Sequence, residues 1–101
     1  MKYTIYQIKH PTSDSERELY CKYAFTPLEC VDKIDLNRYA EVWTDVIDGD
    51  NVYDILENLW VKFNMIHPEN FHGHSLSISD IVKIDNKYYY CDSIGWKEIN
   101  I

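Results

Sequence analysis

Between Arg38 and Lys62 the chain has no basic residue and carries six carboxylates: Glu41, Asp45, Asp48, Asp50, Asp54 and Glu57. Carboxylates spaced along a rigid surface can occupy the phosphate positions of a protein that handles nucleic acid, so this run is a candidate partner-binding surface. The competing explanation is a solvated acidic face that keeps the protein soluble. The rest of the chain leans the same way: 17 Asp and Glu stand against 10 Lys and Arg, a net charge of −7. Such a chain repels DNA, RNA and anionic membranes and is drawn to basic protein surfaces. The expected partner is therefore a basic nucleic-acid-handling protein, with no direct contact to nucleic acid or membrane.

Other residue groupings offer less chemistry. His67, His72 and His74 lie close together, and His72-Gly73-His74 presents two imidazoles that Asp80 or Asp92 would have to complete into a metal site. Structural zinc sites take ligand pairs from two elements, so these read as loop histidines, and no metal is expected. Ser75, Ser77, Ser79 and Asp80 lack a Gly-x-Ser-x-Gly elbow. They read as side chains that satisfy backbone groups in a turn entering a strand. A Cys91–His74 pair would need a lowered thiol pKa, which an acidic protein does not supply. Three glycines leave no room for a phosphate-cradling loop or a dinucleotide fingerprint. Neither a catalytic set nor a cofactor is expected, and the chain reads as a non-enzyme.

The elements that must carry these groups are legible in part. Residues 2–9, rich in Tyr, Ile and Thr, predict a strand, followed by a polar loop over Pro11–Ser15. Residues 16–25 mix helix and strand signals. Thr26-Pro27-x-Glu29 predicts a short helix to about Lys33, with Thr26 as N-cap and Pro27 in the first turn. Residues 38–47 predict a strand, and Gly49 between two aspartates a turn. The clearest signal is at 52–64, where Val52, Ile55, Leu56, Leu59, Trp60 and Phe63 share one helical face. Asn51 caps its start and His67-Pro68 closes the segment. Residues 78–84, a turn at Asp85-Asn86, residues 87–91, a turn at 93–95 and residues 96–99 predict a three-stranded meander. Strand alternation sends some of Tyr88, Tyr89 and Tyr90 outward as interface anchors, while Trp43, Trp60 and Trp96 read as core.

These elements make one α+β domain over residues 1–101: an antiparallel sheet, with its C-terminal meander, packed against the helix at 52–64. A chain of 101 residues that is 46% hydrophobic can bury one modest core. No apolar run reaches membrane-spanning length, and Met1 to His10 lacks the pattern of a signal peptide, so a cytoplasmic location is expected. Cys21, Cys30 and Cys91 are odd in number and lack C-x-x-C spacing, so free thiols are expected. Ile, Asn, Lys and Tyr are abundant while Ala, Gly and Pro are scarce, the codon bias of an AT-rich genome such as that of a low-GC bacterium or its mobile elements.

Residues 52–99 also spell a pattern: Leu56-Glu57, Lys62-Phe63-Asn64, His67-Pro68, Phe71, then Gly73-His74-Ser75-Leu76-Ser77-Ile78-Ser79-Asp80-Ile81-Val82, then Tyr89-Tyr90-Cys91-Asp92-Ser93 and Gly95-Trp96. This resembles the YodL-like domain of conjugative-element and phage proteins, with Trp96 where Phe is usual. In size and acidity the chain is similar to the small type II-A anti-CRISPR proteins of such elements. That resemblance implies a non-enzymatic inhibitor of a CRISPR RNA-guided nuclease, acting in the bacterial host cell on guide RNA or target DNA use. The alternative is an accessory or adaptor domain of a mobile element with no inhibitory role.

Overall fold

The computed structural model describes the chain except for Asp32, His67 and His72 and the side chain of Leu19. The elements are β1 (Lys2–Ile8), α1 (Asp14–Tyr23), two 3-10 turns (Leu28–Cys30 and Leu36–Arg38), β2 (Tyr39–Val46), α2 (Val52–Met65), β3 (Ile81–Ile84), β4 (Lys87–Cys91) and β5 (Trp96–Ile99). The strands form one sheet in the order β2-β1-β3-β4-β5, every pair antiparallel. β1 is thus flanked by β2 and β3, and α2 carries the chain across it from β2 to β3. The α+β class, the meander and the dominant helix of the sequence reading all stand in this architecture.

Helix α2 forms where the apolar period requires it. Asn51 accepts from the backbone N–H groups of Tyr53 and Asp54 at 3.0 and 3.2 Å, closing the N-terminus. Ile55, Leu56, Leu59 and Phe63 are buried against Tyr3, Ile5, Val82, Ile84 and Tyr89. Burying a side chain of this size stabilises by about 1.5–3 kcal/mol. Trp60 lies on the flank of the stripe and remains 36% exposed, so it is not the core residue its spacing suggests. Trp96 is buried, and Trp43 is half-buried with its indole N–H donating to the Tyr3 hydroxyl at 3.2 Å.

The second sheet face is covered as well, by the excursion between β1 and β2. Tyr39, Ile81 and Tyr90 are buried there beneath Leu28, Val31, Ile34 and Leu36. This corrects the expected outward tyrosines. Tyr89 faces α2, Tyr90 faces the excursion with its hydroxyl donating to the Thr26 carbonyl at 2.6 Å, and Tyr88 is half-buried. Alternation between faces exposes a side chain only when one face is bare.

Within the excursion, residues 14–23 resolve as helix. Ser13 accepts from the Glu16 N–H at 3.2 Å, the start of a Ser-x-x-Glu capping box. The short helix expected from Thr26 is instead a single 3-10 turn with no side-chain cap. Thr26 is occupied elsewhere: its hydroxyl donates to the carbonyls of Lys22 and Ala24 at 2.9 and 3.3 Å and ends α1. The predicted strand at 78–84 begins only at Ile81, because Ile78 and Ser79 form a turn with Ser79 at φ 85°. The expected stop at His67-Pro68 lies partly outside the described residues.

Candidate functional site

The acidic run is built on β2, the following connector and α2. β2 is an edge strand, and its pairing with β1 slips by one: Ile5 pairs with Trp43 and Tyr6 with Glu41, leaving Val42 as the extra residue of a bulge. The bulge separates two carboxylates that an unbroken strand would place on one face. Glu41 stands opposite Tyr6 on the excursion face and Asp45 opposite Tyr3 on the α2 face. Asp45 also accepts from the Val46 N–H at 2.8 Å. Asp48 and Asp50 flank Gly49, whose φ of 145° and close approach to Ile55 exclude a side chain. A Cβ at Gly49 would meet Ile55 at 2.9 Å. Asp54 and Glu57 follow on the outer face of α2.

All six carboxylates are exposed, and among the described residues none is in an ion pair. They form a band wrapping one edge of the sheet and running onto α2, rather than one flat patch.

A different chemistry gathers where the Ser77-Ile78-Ser79-Asp80 turn enters β3. Asp80 is 1% exposed. Its Oδ2 accepts from the Ser77 N–H at 2.8 Å and from Gln7 Nε2 at 3.0 Å, while its Oδ1 has no hydrogen-bond partner. Gln7 also donates to the His74 carbonyl at 2.9 Å and accepts from the His74 N–H at 3.2 Å. The His74 ring lies with Nδ1 2.6 Å from the Ser75 carbonyl. A carbonyl only accepts, so Nδ1 carries a hydrogen, and Nε2 faces Asp80 Oδ1 at 3.9 Å. That separation is too long for a hydrogen bond. Burial pushes the Asp80 carboxyl up to about 8, although the bonds from Ser77 and Gln7 pull it down.

The backbone around Asp80 is strained. Phe25 and Ser79 both hold positive φ, 59° and 85°, and the Phe25 N–H donates to the Ser79 hydroxyl at 2.9 Å. The Ser79 carbonyl accepts from the buried Tyr39 hydroxyl at 2.6 Å. The local reading of this motif holds, in that Ser and Asp side chains satisfy the turn. Its sequence reading missed Gln7 and the depth of Asp80's burial. The signal for Gln7 was strand parity: it continues the inward series Tyr3, Ile5 on β1.

As chemistry, this corner is closed. The Ser79 hydroxyl is taken by Phe25, and burial, followed by the charges of Asp80, Asp92 and Glu57, pushes the Cys91 thiol up to about 12. Cys21 and Cys30 are exposed free thiols. His72, half of the considered metal pair, lies outside the described residues. Among those described, no group of three His, Cys, Asp or Glu converges on a metal position. No helix of the described residues is long and apolar enough to cross a membrane.

Comparison with known proteins agrees with the motif reading and widens it. An uncharacterized protein of Acanthamoeba polyphaga mimivirus is 40% identical over a 76-residue alignment covering 61% of this chain and 69% of that protein. No solved structure matches. The profile of the YodL-like domain matches residues 2–101, so the likeness extends from residues 52–99 over β1, the excursion and β2. The chain belongs to the YodL-like domain family.

Proposed function

We propose that this protein is a non-enzymatic inhibitor that binds a basic nucleic-acid-handling protein through its acidic band, with a type II CRISPR RNA-guided nuclease as the target. The observation that carries this reading is the exposure of all six carboxylates from Glu41 to Glu57, with no cation among the described residues paired to them. Exposed, uncompensated carboxylates keep their full field for an incoming partner, speed encounter with a positive surface and compete there with phosphate. A guided nuclease holds its heteroduplex in a positively charged channel, which is the complementary shape of charge. The closed state of the Asp80 corner supports binding over catalysis, since no hydroxyl or thiol there is free and ionisable near neutral pH. The family's relative in a virus fits a protein of mobile genetic elements.

The test is DNA cleavage by purified nuclease, guide RNA and target DNA with this protein added before guide, before DNA or last. Inhibition that depends on order of addition supports the reading and names the blocked step. Full cleavage at every order overturns it. A second reading, an accessory or adaptor domain of a mobile element, is favoured by exposed Val61, Met65 and Ile66 at the end of α2. An apolar adaptor surface holds its partner as salt rises, whereas an electrostatic plug lets go.

A further inference from the structure

A groove of about 380 Å³ lies between the middle of α2 and the start of β5, lined by Glu57, Trp60, Ile78, Cys91, Asp92 and Trp96. Its lining comes largely from the family signature, the Ser-Ile-Ser-Asp turn and the Tyr-Cys-Asp-Ser-x-Gly-Trp segment. Two indoles face it. Trp60 is the one member of the apolar stripe of α2 left substantially exposed, and leaving so large an aromatic in water forgoes the burial its neighbours achieve. Glu57 stands one helical turn before Trp60, on the same side of α2.

The two carboxylates of the groove differ. Asp92 is already committed: it accepts from the N–H groups of Leu28 and Ser93 at 3.1 and 2.8 Å and lies 3.7 Å from Lys97. Glu57 is exposed and, among the described residues, in no ion pair, and its charge is felt by the Cys91 thiol at the groove floor.

An anionic occupant is repelled by both carboxylates and by the whole chain. A purely apolar occupant leaves Glu57 unused. A long cationic side chain uses every part: its methylenes lie on Ile78 and Cys91, its charge sits over an indole face and against Glu57. Arginine fits best, because its planar guanidinium both stacks on an aromatic ring and forks onto a carboxylate. We propose that this groove captures an arginine side chain presented by the basic partner. The proposal rests on the reading that the partner is basic. It adds an anchoring pocket to a surface that otherwise only steers, and interface hot spots do pair Trp with Arg.

The probe is the peptide acetyl-Gly-Arg-Gly-amide, with acetyl-Gly-citrulline-Gly-amide as its uncharged isostere, followed through the indole N–H resonances of Trp60 and Trp96. The arginine peptide should shift both resonances and bind at least fivefold more tightly than the citrulline peptide. Glu57→Gln should erase most of that preference, and Trp60→Leu, which keeps the apolar surface, should weaken arginine binding severalfold while leaving the amide spectrum of the fold intact. Equal binding of the two peptides, shifts confined to other residues, or a Glu57→Gln protein that keeps the preference overturns the proposal. No nuclease enters these titrations, so a failure of the inhibitor reading leaves their outcome unchanged.

Discussion

Asp80 and the six carboxylates of residues 41–57 are the same functional group in opposite surroundings. Asp80 is sealed at the entry to the central strand β3, with two donors on one oxygen and none on the other. The six stand in water with no paired cation among the described residues. The buried one holds the Ser77–Asp80 turn and Gln7 in place, because removing it strands their N–H groups away from solvent. Apart from the bond of Asp45 to the Val46 N–H, the exposed ones hold nothing in place among the described residues, and their value lies in the field they project. In this molecule burial, not residue type, sorts the carboxylates into architecture and recognition.

The largest break in that contrast is Asp80→Ala. It leaves the Ser77 N–H and one of the two Gln7 Nε2 hydrogens without an acceptor, while the other keeps the His74 carbonyl, at about 1–3 kcal/mol for each orphaned donor. A loss of about 2–5 kcal/mol in chemical denaturation is expected. Asp80→Asn should be much milder, since the amide oxygen keeps an acceptor for both donors. A harmless Asp80→Ala would mean that the corner is hydrated.

Gly73→Ala attacks the same corner from behind. A Cβ at Gly73 would fall 2.5 Å from Gln7 Oε1 and 2.7 Å from the Phe71 ring, so Gln7 must move off the His74 N–H and Asp80. Overpacking of this kind costs about 1–3 kcal/mol. Gly95→Ala is the control: nothing lies near its Cβ, and only its φ of 69° resists, at about 1 kcal/mol.

The pH response sharpens the comparison further. Burial raises the folded-state pKa of Asp80 from 3.8 to about 8. Between those values the folded protein keeps a proton that the unfolded chain has released. The contribution of Asp80 to stability is therefore greatest below about pH 4, falls as pH rises toward about 8, and levels above it, with a slope of at most about 1.4 kcal/mol per pH unit. Urea midpoints measured from pH 5 to 9 should show this decline, and Asp80→Asn should flatten it. A rise in stability over that range in the wild-type protein would place the proton elsewhere.

How much of this was legible depends on whether the cause was local. The stripe from Val52 to Phe63 and the Asn51 cap lie within one turn or one face, and α2 follows from them. The meander follows from apolar strands joined by the Asp85-Asn86 turn. The second face did not show, because Leu28, Val31, Ile34 and Leu36 have no period and earn burial only when the excursion folds back over Tyr39, Ile81 and Tyr90. Exposure of the acidic run was readable from its charge. The bulge at Val42, which turns Glu41 and Asp45 to opposite faces, was not, because it is set by pairing with β1. Gln7 and Asp80 meet across 73 residues, and a contact of that range leaves only a parity hint in either segment.

The smallest expected effect on the fold carries the most information about function. Asp45, Asp48 and Asp50 changed together to Asn leave every buried contact in place. Only Asp45 has a local role, its bond to the Val46 N–H, which an Asn oxygen also accepts. Exposed single charges contribute roughly 0–1 kcal/mol, and separating like charges offsets part of that, so the melting transition should stay within about 1 kcal/mol of wild type. Binding to the basic partner should change in a particular way. Steering charges act on the rate of encounter, so the association rate should fall and its dependence on salt should flatten, while dissociation changes little. If arginine capture at Glu57 and Trp60 anchors the complex, Glu57→Gln should do the reverse and speed dissociation. The two sets of variants, compared at low and high salt by surface-immobilised kinetics, separate a field that guides from a pocket that holds. A folded triple variant with unchanged association at both salts removes the acidic band from recognition and leaves Asp45, Asp48 and Asp50 as solubilising charges.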